Sequence, residues 1–212
     1  MRRVCLIIIY LINIVRVTAQ ADSVAYGKNF VLNEGLYLTY SDLRHNWPIP
    51  KDKINTKLDK NQLDFYSKLI EEEKILYTER DGNSDQINAA NVWGFCQNNT
   101  VYININKIFY RMPVFGSISY FVALVPVTVS SPGYNVFINS PSGNTTEMRE
   151  FLFEFYTGKL YEFSSDSLIS LLKLAPEIQK NYESLSRKKK KEQATKFIRL
   201  YNEKHPIYFP AK

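Results

Sequence analysis

The spacing of apolar residues changes near residue 163. From Gly35 to Phe163 the apolar runs are short, rich in β-branched and aromatic residues, and separated by turn residues, which is typical of antiparallel strands. After Phe163 apolar residues recur at three- and four-residue intervals, which predicts helices. The pattern therefore predicts an α+β protein with a mainly antiparallel β-sheet or partly closed barrel, followed by two or three C-terminal helices that pack against it.

The clearest strand pair surrounds two asparagines. Residues 92–97 and 100–105 carry strand-forming side chains and flank Asn98 and Asn99. Asparagine tolerates the left-handed backbone conformation that a two-residue hairpin turn requires. We therefore expect a β-hairpin whose second strand is packed on one face and partly wet on the other.

A central strand and a second hairpin follow. Residues 118–125 are almost continuously apolar, which favours a strand covered on both faces over an edge strand, so we expect this segment at the centre of the sheet. Residues 151–156 and 160–163 flank a turn at 157–159. The phenylalanines of the first of these strands alternate with other residues, so they share one face.

Three helices are expected after residue 163. Residues 164–167 provide N-cap candidates for the first helix, and Pro176 suits the first turn of the second. A short helix is also expected earlier, at residues 41–46, capped by Ser41. The third C-terminal helix is the clearest, because it carries one apolar stripe: Ala194, Phe197, Ile198 and Tyr201.

Residues 1–19 have the features of a secretory signal peptide. Arg2 and Arg3 precede an apolar stretch of twelve residues, and the small residues that follow suit cleavage before Gln20. A membrane anchor is the competing interpretation, but this stretch is shorter than the roughly 20 residues that span a bilayer. The sequence thus predicts export to the periplasm or cell envelope, no transmembrane segment in the mature chain, and four parts: signal peptide 1–19, β-rich part 20–163, helical part 164–205 and tail 206–212.

Positive charge is concentrated at the start of the predicted third helix. Residues 187–204 hold eight basic and two acidic side chains, whereas the whole chain has a formal net charge of +6. If Ser186 caps a helix here, these cations lie where the helix dipole disfavours them. Alternatively, one helix runs on from Pro176 and the cations lie in its middle. The basic run consists of Arg187, Lys188, Lys189, Lys190 and Lys191.

Two roles remain open for this basic run. It is either a solvated helix face that keeps the protein soluble, or a surface that meets lipid head groups or an acidic protein of the envelope. A nucleic acid is not expected as a partner, because an exported protein rarely meets one and no nucleic-acid-binding motif accompanies the lysines. Neither the partner nor the oligomeric state follows from the sequence.

Little in the chain suggests catalysis. Removal of residues 1–19 leaves Cys96 as the one cysteine, which could act as a nucleophile with His45 or His205. Its apolar strand context favours a buried structural thiol instead. The two histidines fit no zinc-binding pattern, and no nucleotide-binding or serine-hydrolase motif occurs. The sequence therefore predicts a protein that is not an enzyme and has no cofactor or metal.

Four blocks of sequence resemble a family of exported proteins. They are residues 35–43 (GLYLTYSDL), 92–96 (VWGFC) with 102–103 (YI), 109–111 (FYR) with 116–121 (GSISYF), and 197–202 (FIRLYN). The first two match the patterns G-x-Y-x-T-x-x-D and W-G-[FY]-C of an uncharacterised exported family, a domain of unknown function, from Bacteroidetes-type bacteria. The resemblance implies export and a shared fold, and it implies no chemistry.

Three functions are therefore considered. We expect first a noncatalytic binding or structural protein of the bacterial cell envelope. The second is peripheral attachment to a membrane or other anionic surface through residues 187–191, and the third is a cysteine-dependent enzyme at Cys96.

Overall fold

The computed structural model describes residues 23–79, 81–127 and 145–211. The expected signal peptide and its cleavage point before Gln20 lie outside these residues. Within the described ranges the chain forms twelve β-strands and five α-helices, three of them near the C-terminus. The predicted α+β class is confirmed, but the described strands form four small antiparallel sheets instead of one.

The elements are numbered here in chain order. The strands are β1 (Ser23–Ala25), β2 (Gly35–Tyr37), β3 (Ile54–Asn55), β4 (Lys74–Thr78), β5 (Ser84–Asn88), β6 (Gly94–Gln97), β7 (Thr100–Ile105), β8 (Ile108–Arg111), β9 (Ile118–Val127), β10 (Thr145–Glu154), β11 (Lys159–Glu162) and β12 (Tyr208–Pro210). The α-helices are α1 (Tyr40–Arg44), α2 (Phe65–Leu69), α3 (Ser165–Leu171), α4 (Pro176–Glu183) and α5 (Arg187–Lys204). Short 3-10 turns lie at Lys51–Lys53, Ala89–Asn91 and Leu172–Leu174.

Strand pairing also joins the two ends of the described chain. The four-stranded sheet has the order β2-β6-β7-β8, and the two three-stranded sheets have the orders β11-β10-β9 and β3-β4-β5. The fourth sheet is the pair β1-β12, in which Val24 lies opposite Phe209. Phe209 is fully buried, so the C-terminal tail is docked on the body of the protein.

Apolar clusters lie between successive layers of the fold. The first cluster, which contains Cys96 and Phe151, lies between the sheets β2-β6-β7-β8 and β11-β10-β9. The second cluster contains Leu152 and packs the other face of β11-β10-β9 against the helices α3 to α5. The third cluster joins Phe95 of the four-stranded sheet to Ile75 of the sheet β3-β4-β5 and to helix α2. The sheet β11-β10-β9 is therefore the layer on which the C-terminal helices are mounted.

The asparagine hairpin is confirmed. Asn98 and Asn99 have φ angles of 50° and 55°, the left-handed values that a two-residue turn needs. Gln97 lies opposite Thr100, so these two asparagines form the whole turn. The turn is also tied to the segment before β2, because the Asn98 amide donates to the Glu34 carboxylate and the Leu32 amide donates a 2.9 Å hydrogen bond to Oδ1 of Asn99.

The second hairpin is present, but its turn lies earlier than predicted. Glu154 pairs with Lys159, so the turn comprises residues 155–158 and not 157–159. Phe155 belongs to the turn although it is buried with the strand phenylalanines in the first cluster. The buried Phe155 continues the alternating pattern of phenylalanines, although the strand itself ends at Glu154.

The central position predicted for residues 118–125 is wrong. The corresponding strand, β9, is at the edge of its sheet, and β10 is the middle strand. The apolar run nevertheless has a cause, because Ile118 packs against the helices while Phe121 packs into the first cluster. A continuous apolar run thus indicates that both faces are covered, and does not fix the position of a strand within its sheet.

The observed N-cap residue agrees with the prediction at helix α3 and differs from it at helix α1. Ser164, one of the expected N-cap candidates, caps α3 and forms a capping box with Ser167, whose amide donates a 3.0 Å hydrogen bond to the Ser164 hydroxyl. Helix α1 is capped by Thr39 and not by Ser41: the Thr39 hydroxyl accepts a 3.2 Å hydrogen bond from the Asp42 amide, and the Asp42 carboxylate accepts a 2.7 Å hydrogen bond from the Thr39 amide. A threonine and an acidic residue three positions later satisfy two backbone amides at once, and for this reason Thr39 is a stronger cap than Ser41.

Candidate functional site

Helix α5 begins with the basic run. Helix α4 ends at Glu183, and Ser186 caps the new helix, its hydroxyl accepting a 3.5 Å hydrogen bond from the Lys189 amide. The alternative of one helix continuous from Pro176 is therefore wrong. The basic run begins an 18-residue helix, and its exposed cations in the first turn, Arg187, Lys188 and Lys189, each cost about 0.3–1 kcal/mol against the helix dipole.

The first turns of α5 are held in place by neighbouring helices. The hydroxyl of Tyr182, a buried residue of α4, donates a 3.1 Å hydrogen bond to the Lys190 carbonyl. The predicted apolar stripe of α5 is buried in the second cluster, which confirms it: Ala194, Phe197, Ile198 and Tyr201. The basic turn is thus mounted at a defined position above the sheet β11-β10-β9.

Three side chains of the basic run line a groove between α5, α3 and the sheet. The groove has a volume of about 990 Å³. Lys189 and Lys190 are not among its lining residues, and Lys190 is half-buried. We call it the basic groove, and its lining residues are Arg187, Lys188, Lys191, Glu192, Glu150, Phe163, Ser164 and Ser165.

The carboxylates of the basic groove leave its cations largely uncompensated. Lys188 approaches Glu192 at 3.9 Å, and both side chains are mostly exposed, so this pair contributes little. Glu150, on the opposite wall, is engaged with a tyrosine. Burial, and then the charge of Glu150 and its hydrogen bond with Tyr120, raise the pKa of Tyr120 to about 12. Arg187 and Lys191 form no ion pair with any described residue.

Sequence reasoning found one wall of this groove and missed the other. The basic run was visible as a cluster of charge, and Ser164 was visible as a helix cap. Nothing in the sequence marks Glu150 and Phe163 as residues of a binding site, because acidic and aromatic residues are common in segments with a strand pattern. The Phe163 amide donates a 2.8 Å hydrogen bond to the Glu150 carbonyl, so the strand pairing brings these residues together.

The candidate thiol lies in a different kind of environment. Cys96 is fully buried in the first cluster, where burial, and then the charge of Glu34, raise its pKa to about 12. His45 is exposed and His205 is half-buried, whereas Cys96 has no exposed surface. Nδ1 of His45 lies 2.7 Å from the Ser41 carbonyl oxygen, and the His205 ring is tilted by 33° to the Tyr201 ring, with their centroids 4.8 Å apart. The structure does not bring together the three residues considered for cysteine chemistry.

Comparison of the chain with protein-family models, with curated proteins and with solved structures found no match. The described part of the chain contains no helix that is long and apolar enough to cross a membrane. Over the same residues no three side chains of His, Cys, Asp or Glu come together as a metal site.

Proposed function

We propose that the protein is an exported, noncatalytic binding protein of the bacterial cell envelope, and that its basic groove holds an anionic group of the partner. One observation carries the proposal. Arg187, Lys188 and Lys191 line one concave surface, although the helix dipole opposes the cations of the first turn, Arg187 and Lys188. A bound anion would offset this cost, so the arrangement is easier to understand as a binding surface than as a solubilising face.

The groove has features that suit binding more than chemistry. Its cations are side chains that pair well with phosphate or carboxylate, and Arg187 can bind either group in a bidentate manner. Its wall also contains Phe163 and two serines, which supply apolar contact and hydroxyl donors. The buried Cys96 has the raised pKa of a structural thiol, which supports the noncatalytic proposal.

The test is a crosslinked affinity purification from the native cell envelope. The wild type is compared with a groove variant, R187Q/K188Q/K191Q, and with a control variant, K57Q/K74Q/K173Q. The control removes the same charge from exposed positions outside the groove. We expect a defined partner, protein or lipid, that the wild type and the control retain and the groove variant loses.

Salt provides a second reading of the same experiment. Retention should fall when the crosslinking is carried out at an ionic strength of about 0.5 M instead of about 0.05 M, because exposed charges are screened. Equal retention by all three proteins at both salt concentrations would mean that the basic run is only a solubilising face.

The export part of the proposal depends on residues 1–19 and is tested separately. Mass spectrometry of the protein isolated from its native source should show an N-terminus at Gln20, in the periplasmic or envelope fraction. A chain that keeps residues 1–19 would refute cleavage at this point.

A further inference from the structure

The helical layer covers only part of the sheet on which it is mounted. On the face that packs against the helices, Ile118 and Leu152 are fully covered or nearly so. Further along the same face, Leu124 lies opposite Met148, and these residues are 48% and 75% exposed. Two adjacent apolar side chains thus stand in solvent where the helices no longer reach.

These two exposed residues border the basic groove. Glu150 lines the groove, and it lies opposite Val122 in the strand pairing. Met148 is two residues from Glu150 on the same strand, and Leu124 is two residues from Val122. In each pair the two side chains therefore lie on the same face of the sheet, with their Cα atoms about 7 Å apart. We call Val122, Leu124 and Met148 the apolar strip.

The apolar strip and the basic groove therefore form one continuous surface of mixed chemistry. Arg187, Lys188 and Lys191 supply the positive charge, and the strip supplies exposed apolar area beside it. A partner that matches both must carry dense negative charge at its surface and apolar material just beneath. An anionic phospholipid bilayer has this profile, because its phosphates lie above the boundary with the acyl chains.

We propose that the surface formed by the basic groove and the apolar strip binds anionic phospholipid membranes. This inference rests on the proposed function and names the anionic group as a lipid head group. The three cations contact lipid phosphates, while Leu124 and Met148 enter the boundary between head groups and acyl chains. The protein attaches peripherally, by a folded surface and not by a spanning helix.

The expected effects differ for the two parts of the surface. Each basic residue near an anionic membrane contributes about 1 kcal/mol, so each charge removed weakens binding about fivefold. Replacing Leu124 and Met148 with serine should weaken binding roughly tenfold, because partly buried apolar side chains are lost from the lipid boundary. High salt should reduce the first contribution much more than the second.

The experiment is co-sedimentation with vesicles of phosphatidylglycerol mixed with phosphatidylcholine, and with vesicles of phosphatidylcholine alone. We compare the wild type, R187Q/K188Q/K191Q, L124S/M148S, and two controls, K57Q/K74Q/K173Q and L63S. Leu63 is 87% exposed and belongs neither to the groove nor to the strip, so it controls for loss of exposed apolar area. Binding to the mixed vesicles by the wild type and the controls, with losses in both surface variants, is the expected result.

A labelling experiment covers the case in which L124S/M148S does not fold. In the chain that begins at Gln20, which lacks Cys5, Met148→Cys labelled with an environment-sensitive fluorophore places the probe within the strip, because the buried Cys96 stays unlabelled in the folded protein. Its emission should shift to the blue with the mixed vesicles and be quenched by acyl-chain quenchers. A probe that remains in water while the protein binds vesicles would overturn the insertion of the strip.

The outcomes separate this inference from the proposed function. No vesicle binding, together with an envelope protein that only the groove variant fails to retain, would overturn the lipid inference and leave the binding function standing. No vesicle binding and no retained partner would reject both.

Discussion

Asn202 of helix α5 forms two hydrogen bonds with the backbone of Ile118 at the start of strand β9. The Ile118 amide donates to Oδ1 of Asn202 at 2.9 Å, and Nδ2 of Asn202 donates to the Ile118 carbonyl at 2.8 Å. The side-chain amide of Asn202 thus pairs with the backbone of Ile118 through one accepted and one donated hydrogen bond, as a residue of a neighbouring strand would. Because the same helix carries the basic run at its other end, this pair fixes the position of the basic groove relative to the sheet.

Replacing Asn202 with alanine should destabilise the fold. Two hydrogen bonds are lost and two partly buried backbone groups at Ile118 are left without partners, so we expect a decrease of about 2–3 kcal/mol in the free energy of unfolding. Urea denaturation followed by circular dichroism measures this change. Asn181→Ala, at an exposed position of α4, is the control and should change the free energy by less than about 0.5 kcal/mol. Equal effects of the two substitutions would contradict the conclusion that Asn202 fixes helix α5 to the sheet.

The groove variant R187Q/K188Q/K191Q should be more stable than the wild type while it loses binding. Removal of cations from the first turns of α5 relieves their repulsion from the helix dipole, so the free energy of unfolding should rise by about 1 kcal/mol. Thermal and urea unfolding at low ionic strength provide the measurement. K57Q/K74Q/K173Q should leave stability nearly unchanged, and a groove variant less stable than the wild type would show that these cations serve the fold.

Gly94 should not tolerate a side chain. A Cβ at this position would overlap the carbonyl oxygen of Tyr102 on the neighbouring strand β7, and neither backbone can move without breaking the sheet. Gly94→Ala should therefore destabilise the protein by more than about 3 kcal/mol or prevent its folding. Gly27→Ala is the matched control, because no atom lies within 4 Å of its added Cβ. Soluble expression and thermal unfolding of the two variants give the comparison.

Cys96 should be unreactive until the protein unfolds. Burial raises the pKa of its thiol from 9.0 to about 12, so the reactive thiolate is scarce near neutral pH and is also shielded from reagents. We expect a mild alkylating reagent at pH 8 to modify Cys96 only after a denaturant is added, as seen by mass spectrometry. Rapid modification of the folded protein would revive the hypothesis of a cysteine-dependent enzyme.

The protein should lose stability at alkaline pH. Burial, and then the hydrogen bond to Asp85, raise the pKa of Tyr77 from 10.0 to about 12, so the folded state holds this proton more tightly than the unfolded state does. The resulting stability is complete below pH 10.0 and is lost as the pH rises towards about 12, by about 1.4 kcal/mol per pH unit for each such group. Urea unfolding between pH 8 and pH 11 tests this.

Tyr77→Phe isolates the contribution of this one group. The variant should show a shallower fall in stability above pH 10, because one titrating group has been removed, while Cys96 and Tyr120 still contribute to the slope. An identical slope in both proteins would mean that Tyr77 does not titrate differently in the folded and unfolded states.

Several features of the fold were determined by the sequence alone. The two asparagines at 98 and 99 form the predicted turn, and the stripe of α5 is buried as its spacing predicts. The patterns that predict these features lie within a few residues of each other, where backbone preference and helical periodicity can be seen in the sequence. The α+β class follows from the same local patterns.

Other features were decided only by tertiary structure. The edge position of β9, the division into four sheets and the wall formed by Glu150 and Phe163 depend on which segments pair. The hydrogen bonds between Asn202 and Ile118 join residues 84 positions apart, and no local pattern marks either partner. The periodicity of apolar residues indicates which faces of a segment are covered. Which other segment covers them is decided by long-range packing. For this reason the basic run can be predicted from the sequence, but the basic groove cannot.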